Sequence, residues 1–249
     1  MTRIIAVMLA KGGVGKTTTS VSLAAGLANA GRRVLLIDTD TQGQVCHALG
    51  VDTKHGLYEL VEEGVAPGDV LLEARSNLYV LAGGRQLAML ERAISRKDFR
   101  PESTLSNALT PLNEYFDYVI IDTAPAWGTL AVNVLTYAEE LLCPVTLETL
   151  AVQGLIDFLE RVQPIIQHTG SKLSYVLPTM LDRRFSQTRE IMEQLQEHFG
   201  SLLCEPIRAN IRLSEAPAHG QHIFEYEPKS RGAADYKQLT QRVINDEQA

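Results

Sequence analysis

Ala10-Lys11-Gly12-Gly13-Val14-Gly15-Lys16-Thr17-Thr18 is the stretch whose reading decides the fold. It follows the apolar run Ile4-Ile5-Ala6-Val7-Met8-Leu9 and precedes residues 19–30, which read as a helix, so the order is strand, glycine loop, helix. Glycines at 12, 13 and 15 put no Cβ in the way, and backbone N–H groups can curl around an anion at a helix N-terminus. In such a loop Lys16 neutralises terminal phosphates and Thr17 offers a hydroxyl to Mg2+, with Val14 and Thr18 completing the cradle. The spacing fits the phosphate-loop pattern G-x-x-x-x-G-K-[ST] at every position except the first, where Ala10 replaces glycine. A second lysine, Lys11, stands inside the loop, where the ordinary pattern accepts any residue.

Downstream, Arg33-Val34-Leu35-Leu36-Ile37 is an unalternating aliphatic run, the mark of a parallel strand covered on both faces, and it ends at Asp38-Thr39-Asp40-Thr41-Gln42-Gly43. Carboxylates at the carboxyl end of a strand beside a phosphate loop lie where an open α/β sheet places its ligands. A second such strand, Tyr118-Val119-Ile120-Ile121, ends in Asp122, which can hold a magnesium-bound water opposite the loop threonine. Further strands are expected at residues 78–82, 140–145 and 174–179, with helical stretches at 86–112, 128–137, 151–167, 186–199 and near the C-terminus. Strands alternating with helices throughout predict a doubly wound, mostly parallel α/β sheet flanked by helices. Residues 51–78 show only a short helix near Gly56 and a turn at Pro67-Gly68.

With 249 residues, 45% hydrophobic and 21% charged, one domain spanning 1–249 is expected. No apolar run approaches the length of a bilayer, and Met1-Thr2-Arg3 leads straight into the first strand without room for a signal peptide, so a cytoplasmic location is expected. Cys46, Cys143 and Cys204 lack C-x-x-C spacing and read as reduced, and the neighbouring His219 and His222 lack further metal ligands nearby. A net charge of −7 argues against a uniformly basic nucleic-acid binder but not against a local patch. The run Arg92, Arg96, Lys97, Arg100 reads as a solvated helix face.

The loop form K-G-G-x-G-K-T resembles the deviant phosphate loop of the ParA/MinD family of ATPases, and the likeness extends along essentially the whole chain. Asp38-Thr39-Asp40-Thr41-Gln42-Gly43 is similar to D-x-D-P-Q-G with threonine for proline, and Asp122-Thr123-Ala124-Pro125 to D-[CT]-P-P with alanine for the first proline. Thr179-Met180-Leu181-Asp182-Arg183-Arg184 looks like T-M-x-D-x-R, and residues 206–220 like I-P-x-x-x-x-[LIV]-x-E-A-P-x-x-G. The resemblance implies ATP as nucleotide with Mg2+, held by Lys11, Gly12, Gly13, Val14, Gly15, Lys16, Thr17 and Thr18, with Met180, Pro206 and Asn210 towards the adenine. It implies that Lys11 reaches the nucleotide of a second copy in an ATP-dependent homodimer, that Asp40 orients the attacking water, and that Thr17, Asp38 and Asp122 serve the metal. Slow ATP hydrolysis coupled to dimerisation follows from the same resemblance. The partition branch further implies sequence-indifferent binding of nucleoid DNA through Arg183, Arg184, Arg189, Arg208, Arg212 and Arg231, and recycling by a ParB-like or McdB-like adaptor. The cargo would be a plasmid or chromosome partition complex, or a carboxysome. The alternatives are a MinD-like membrane-associated ATPase, disfavoured by the thin apolar stripe and acidic end of the tail, and a metabolic ATP-dependent enzyme on the same scaffold.

Overall fold

The computed structural model describes residues 1–148, 150–182, 184 and 187–247. Its strands are β1 (Arg3–Val7), β2 (Val34–Asp38), β3 (Leu71–Arg75), β4 (Leu78–Leu81), β5 (Tyr118–Asp122), β6 (Glu140–Thr146) and β7 (Lys172–Thr179). They form one seven-stranded sheet in the order β3-β4-β2-β5-β1-β6-β7, parallel except where β3 runs against β4. The aliphatic runs become the buried centre because successive side chains point to opposite faces and both faces are covered. In β1, Ile4 and Ala6 join one apolar layer while Ile5 and Val7 join the other. The first layer is closed by helices such as Leu87–Ser95, Thr129–Tyr137 and Ala151–Thr169. The second is closed by α1 (Lys16–Asn29) and the C-terminal helix Arg231–Asn245.

Chain order explains where the site falls. From β1 the chain passes over the position later taken by β5 to reach β2, moves out to the edge strand β3, turns back into β4 beside β2, then returns to insert β5 between β1 and β2 before completing the other wing. Asp38 stands in register with Asp122, and Asp122 with Val7, so the phosphate loop and both aspartates leave three adjacent strands at their carboxyl ends.

Strand β3 was not legible in the sequence. Pro67 begins a one-turn helix, Pro67–Val70, rather than a simple turn, and residues 71–75 then pair antiparallel with β4 across Ser76-Asn77, where Asn77 takes φ 63°. As an edge strand it is covered on one side only, so it lacks the unbroken aliphatic run that marks the central strands. The helical stretch expected over 86–112 is divided into Leu87–Ser95 and Thr104–Leu109 by a single turn at Pro101–Ser103.

The C-terminal helix packs beside α1 on the same face of the sheet. Its apolar stripe of Tyr236, Leu239 and Val243 is buried, and the Tyr236 hydroxyl shares a hydrogen bond with Thr19 Oγ1 at 3.1 Å. Arg3 ties the helix end to the sheet by donating to the Val243 carbonyl at 2.5 Å while pairing with Glu140 at 2.7 Å. Gly26 permits the close approach of the two helices, since a Cβ there would lie 2.2 Å from Thr240 Oγ1. Gly26→Ala is therefore expected to destabilise the protein by about 1–3 kcal/mol despite alanine's better helix propensity, lowering Tm by a few degrees in a thermal melt, with partial recovery on adding Thr240→Ala.

Candidate functional site

At the end of β1 the loop turns into α1 through Gly13 at φ 72° and Gly15 at φ 88°, left-handed conformations that favour glycine. This aims the amides at the start of α1 into one concavity and leaves no side-chain cap on the helix, an N-terminus suited to phosphate. Lys16 is nearly buried and donates from Nζ to the Lys11 carbonyl at 2.7 Å, closing the loop over itself. Burial pulls its ammonium pKa down, while the carboxylates of Asp122 and Asp40 push it back up.

Asp122 is fully buried, and its two oxygens accept from Thr17 Oγ1 and Ser20 Oγ, each at 2.8 Å. Burial pushes its carboxyl up to about 7, with the charge of Asp38 adding to the rise and the two hydroxyls and Lys16 opposing it. Asp38, also fully buried, accepts from the Asp40 and Val45 amides at 2.8 and 3.1 Å, yet burial still pushes it up to about 6. Two buried carboxylates and a hydroxyl form a hard oxygen donor set that holds more negative charge than Lys16 alone relieves, a setting that fits Mg2+. Ser20 escaped the sequence reading. Its signal was the helical period, since a residue three beyond Thr17 faces the same side of α1.

Asp40 is half-buried, with Oδ1 accepting from the Gln42 amide at 2.9 Å. It lines a cavity of about 540 Å³ together with the phosphate loop, Thr41, Gln42, Gln44, residues 123–126 and Met180. An adjoining cavity of about 300 Å³ runs from Gly15, Thr18 and Met180 to residues 207–210 and Tyr236, on the side where a base attached to the phosphates would lie. Met180 is half-exposed with φ 56°, and the Thr179 hydroxyl donates to the Val14 carbonyl at 2.9 Å, fixing this wall to the loop. Asn210 reaches the cavity, with Oδ1 accepting from the Arg212 amide at 3.0 Å, whereas Pro206 precedes the lining residues, which begin at Ile207.

Lys11 faces away from this chain's own phosphate cradle. Its half-exposed Nζ pairs with Glu148 Oε2 at 2.8 Å and lies 3.3 Å from Thr146 Oγ1.

The arginines expected to meet DNA are mostly ion-paired. Arg184 pairs with Asp182 at 2.5 Å, Arg189 with Glu193 at 2.9 Å and Arg212 with Glu215 at 2.7 Å, all at exposed sites where such pairs are weak and easily exchanged. Arg208 is different. Its guanidinium meets the buried Asp235 at 2.6 Å and its amide donates to the same carboxylate, which makes it a staple for the C-terminal helix. Arg231 is exposed at the start of that helix, and Arg183 lies outside the described residues.

With the geometry in place, comparison with known proteins decides the family. A family model described as an AAA domain matches residues 2–175. The sporulation initiation inhibitor protein Soj of Bacillus subtilis is 38% identical over 250 residues, covering 98% of each chain. The chain belongs to the ParA/MinD family of ATPases. The chromosome partitioning protein ParA of Myxococcus xanthus is 36% identical, covering 97% of this chain and 88% of its own. Among solved structures, a Mycobacterium smegmatis protein described as cobyrinic acid a,c-diamide synthase, with bound ADP and magnesium, superposes with TM-score 0.86 at 32% identity, over 100% of this chain and 96% of its own. ATP and Mg2+ are accordingly the ligands of the site, and the protein is in general terms a positioning ATPase.

A pH dependence follows from the raised Asp122 carboxyl. The cation prefers the ionised form, so protons compete below about pH 7, and Mg·ATP should bind about tenfold more weakly at pH 6 than at pH 8 by calorimetric titration. Asp122→Asn should flatten that slope to whatever the nucleotide's own protonation leaves.

Proposed function

We propose that ATP converts this chain into a homodimer that grips duplex DNA without regard to sequence, and that adaptor-stimulated hydrolysis releases it. In this reading Lys16 and the loop amides hold the β- and γ-phosphates, Thr17 binds the metal, Asp38 and Asp122 shape its shell, and Asp40 orients the attacking water. Met180 and Asn210 touch the adenine. The observation that supports the dimer is Lys11, a half-exposed loop lysine whose ammonium is turned to Glu148 and Thr146 rather than to its own phosphate cradle. Such a side chain is free to reach a nucleotide bound to a second copy.

The nucleoid is then the matrix along which a cargo moves, and the protein is a cytoplasmic, nucleoid-associated one. The names of the partition relatives favour a plasmid or chromosome partition complex with a ParB-like adaptor over a carboxysome with a McdB-like one. A membrane role is disfavoured, because the apolar stripe of the C-terminal helix is spent on α1. Among the described residues no helix is long and apolar enough to cross a membrane. The amide-synthase activity named for the mycobacterial neighbour is disfavoured too, since the more similar sequence relatives are named for sporulation control and chromosome partition.

The deciding experiment is binding to an unrelated duplex with ATP, ADP or no nucleotide across a salt series. Binding confined to the ATP state and falling steeply with salt is expected, abolished by Lys16→Ala and weakened at least about tenfold by Arg212→Glu with Arg231→Glu. An ATP dimer that binds no DNA in any nucleotide state overturns the reading.

A further inference from the structure

The turn before the helix Leu87–Ser95 touches the Asp40 loop, and the helix itself touches the start of the helix that follows the Asp122 loop, while neither lines the phosphate cavity. Just before it, the Gly84 amide donates to the Asp40 carbonyl at 3.0 Å. Along one side, Glu91 Oε1 accepts from the Leu130 amide at 3.4 Å, and Ser95 Oγ shares a hydrogen bond with Thr129 Oγ1 at 3.1 Å. Those two partners open the helix Thr129–Tyr137, which follows the Asp122 loop and has no side-chain cap of its own. Leu87, Leu90 and Ile94 fix the inner face in the core.

The outer face is of another kind. Arg85, Met89, Arg92 and Arg96 fall at i, i+4, i+7 and i+11, a single stripe, and all are exposed. Beyond the helix, Phe99 is 80% exposed, with the Arg100 guanidinium 5.5 Å from its ring centre. Among the described residues none of these four arginines has a carboxylate partner, unlike Arg184, Arg189, Arg208 and Arg212. A chain of net charge −7 thus leaves an unneutralised basic stripe flanked by two large apolar side chains. The sequence pattern alone reads as a solvated helix face, and the structure adds exposed apolar surface at Met89 on the stripe and at Phe99 beside Arg100.

We propose that this face is a docking surface for an acidic segment of a partner protein that carries bulky apolar residues, and that its occupancy is coupled to nucleotide state through Asp40 and Glu91. The arginines alone would suit a phosphate backbone equally well, but the phosphates of a duplex offer no apolar surface to Met89 and Phe99, whereas an acidic chain with leucine or phenylalanine satisfies both. The coupling rests on the ATP switch described above; the docking does not.

The probe is a short labelled peptide alternating Glu with Leu and Phe, compared by fluorescence anisotropy with a version carrying Lys for Glu and with a DNA duplex. The wild type is expected to bind the acidic peptide and not the basic one. Arg92→Glu with Arg96→Glu should weaken peptide binding at least about tenfold, and Phe99→Ser by several-fold, with basal ATP turnover and Tm unchanged. Failure of the wild type to bind the acidic peptide, or equal binding by the double variant, overturns the surface. Loss of duplex binding in the double variant with peptide binding intact assigns the stripe to nucleic acid instead. Peptide affinity should differ at least about threefold between the ATP and ADP states, and equal affinities overturn the coupling. If the peptide results hold while the same preparation shows no ATP-dependent DNA binding, the docking surface stands and the DNA switch falls.

Discussion

Lys11→Ala protein is expected to bind Mg·ATP within about threefold of wild type, yet to turn it over at least about a hundredfold more slowly and to remain monomeric with ATP. The two lysines of the loop occupy different electrostatic positions. Lys16 is nearly buried against the loop and faces the phosphate cavity, so Lys16→Ala should abolish nucleotide binding outright. Lys11 stands at the mouth, half-exposed and held by the exposed Glu148, a surface pair contributing less than about 1 kcal/mol. Its loss therefore costs fold and ground-state affinity little. If its ammonium is delivered to the nucleotide of a second copy, it acts on charge that develops during phosphoryl transfer, where one removed donor typically costs a factor of a hundred or more. Stopped-flow ATP binding, phosphate release and light scattering with ATP separate the three quantities. Wild-type turnover by Lys11→Ala would remove the case for a shared site.

Asp40→Ala is expected to retain ATP and accumulate as an ATP-bound dimer, with phosphate release reduced by about two to three orders of magnitude. One oxygen of Asp40 accepts from the Gln42 amide, and the residue lines the cavity, where the second oxygen can receive a water. The residue is half-buried and reaches Asp38 through its backbone amide rather than its side chain, so the substitution removes no internal support of the sheet. Asp38→Ala differs: its carboxylate accepts the Asp40 and Val45 amides, and its loss unmakes the loop that carries Asp40. The check is size-exclusion chromatography with ATP alongside phosphate release. A monomeric Asp40→Ala protein, or one hydrolysing at the wild-type rate, contradicts the assignment of the water-orienting role.

Much of this was legible along the chain because local chemistry fixes it. A phosphate loop is a contiguous run whose glycines, lysine and threonine must stand at set spacings, and a buried parallel strand declares itself by aliphatic residues on both faces. Asp38 and Asp122 were readable for the same reason, each closing such a run. Strand β3 was not, because an edge strand half-covered by its neighbour carries a weak pattern and is defined by pairing with β4. The partner of Arg208 was equally invisible: Asp235 lies 27 residues away, and chain folding alone brings them together.

By itself the sequence determined the doubly wound α/β sheet, the nucleotide loop and the two aspartates beside it, since each depends on residues within a few positions of one another. The tertiary structure decided what needs distance in the chain to become nearness in space. It set Ser20 beside Thr17 on Asp122, turned Lys11 out to Glu148, spent Arg208 on Asp235, packed the tail against α1, and among the described residues left Arg85, Arg92, Arg96 and Arg100 without carboxylate partners. Propensity and spacing act along the backbone, whereas pairing of charges and burial of a helix face depend on which surfaces the finished sheet brings into contact.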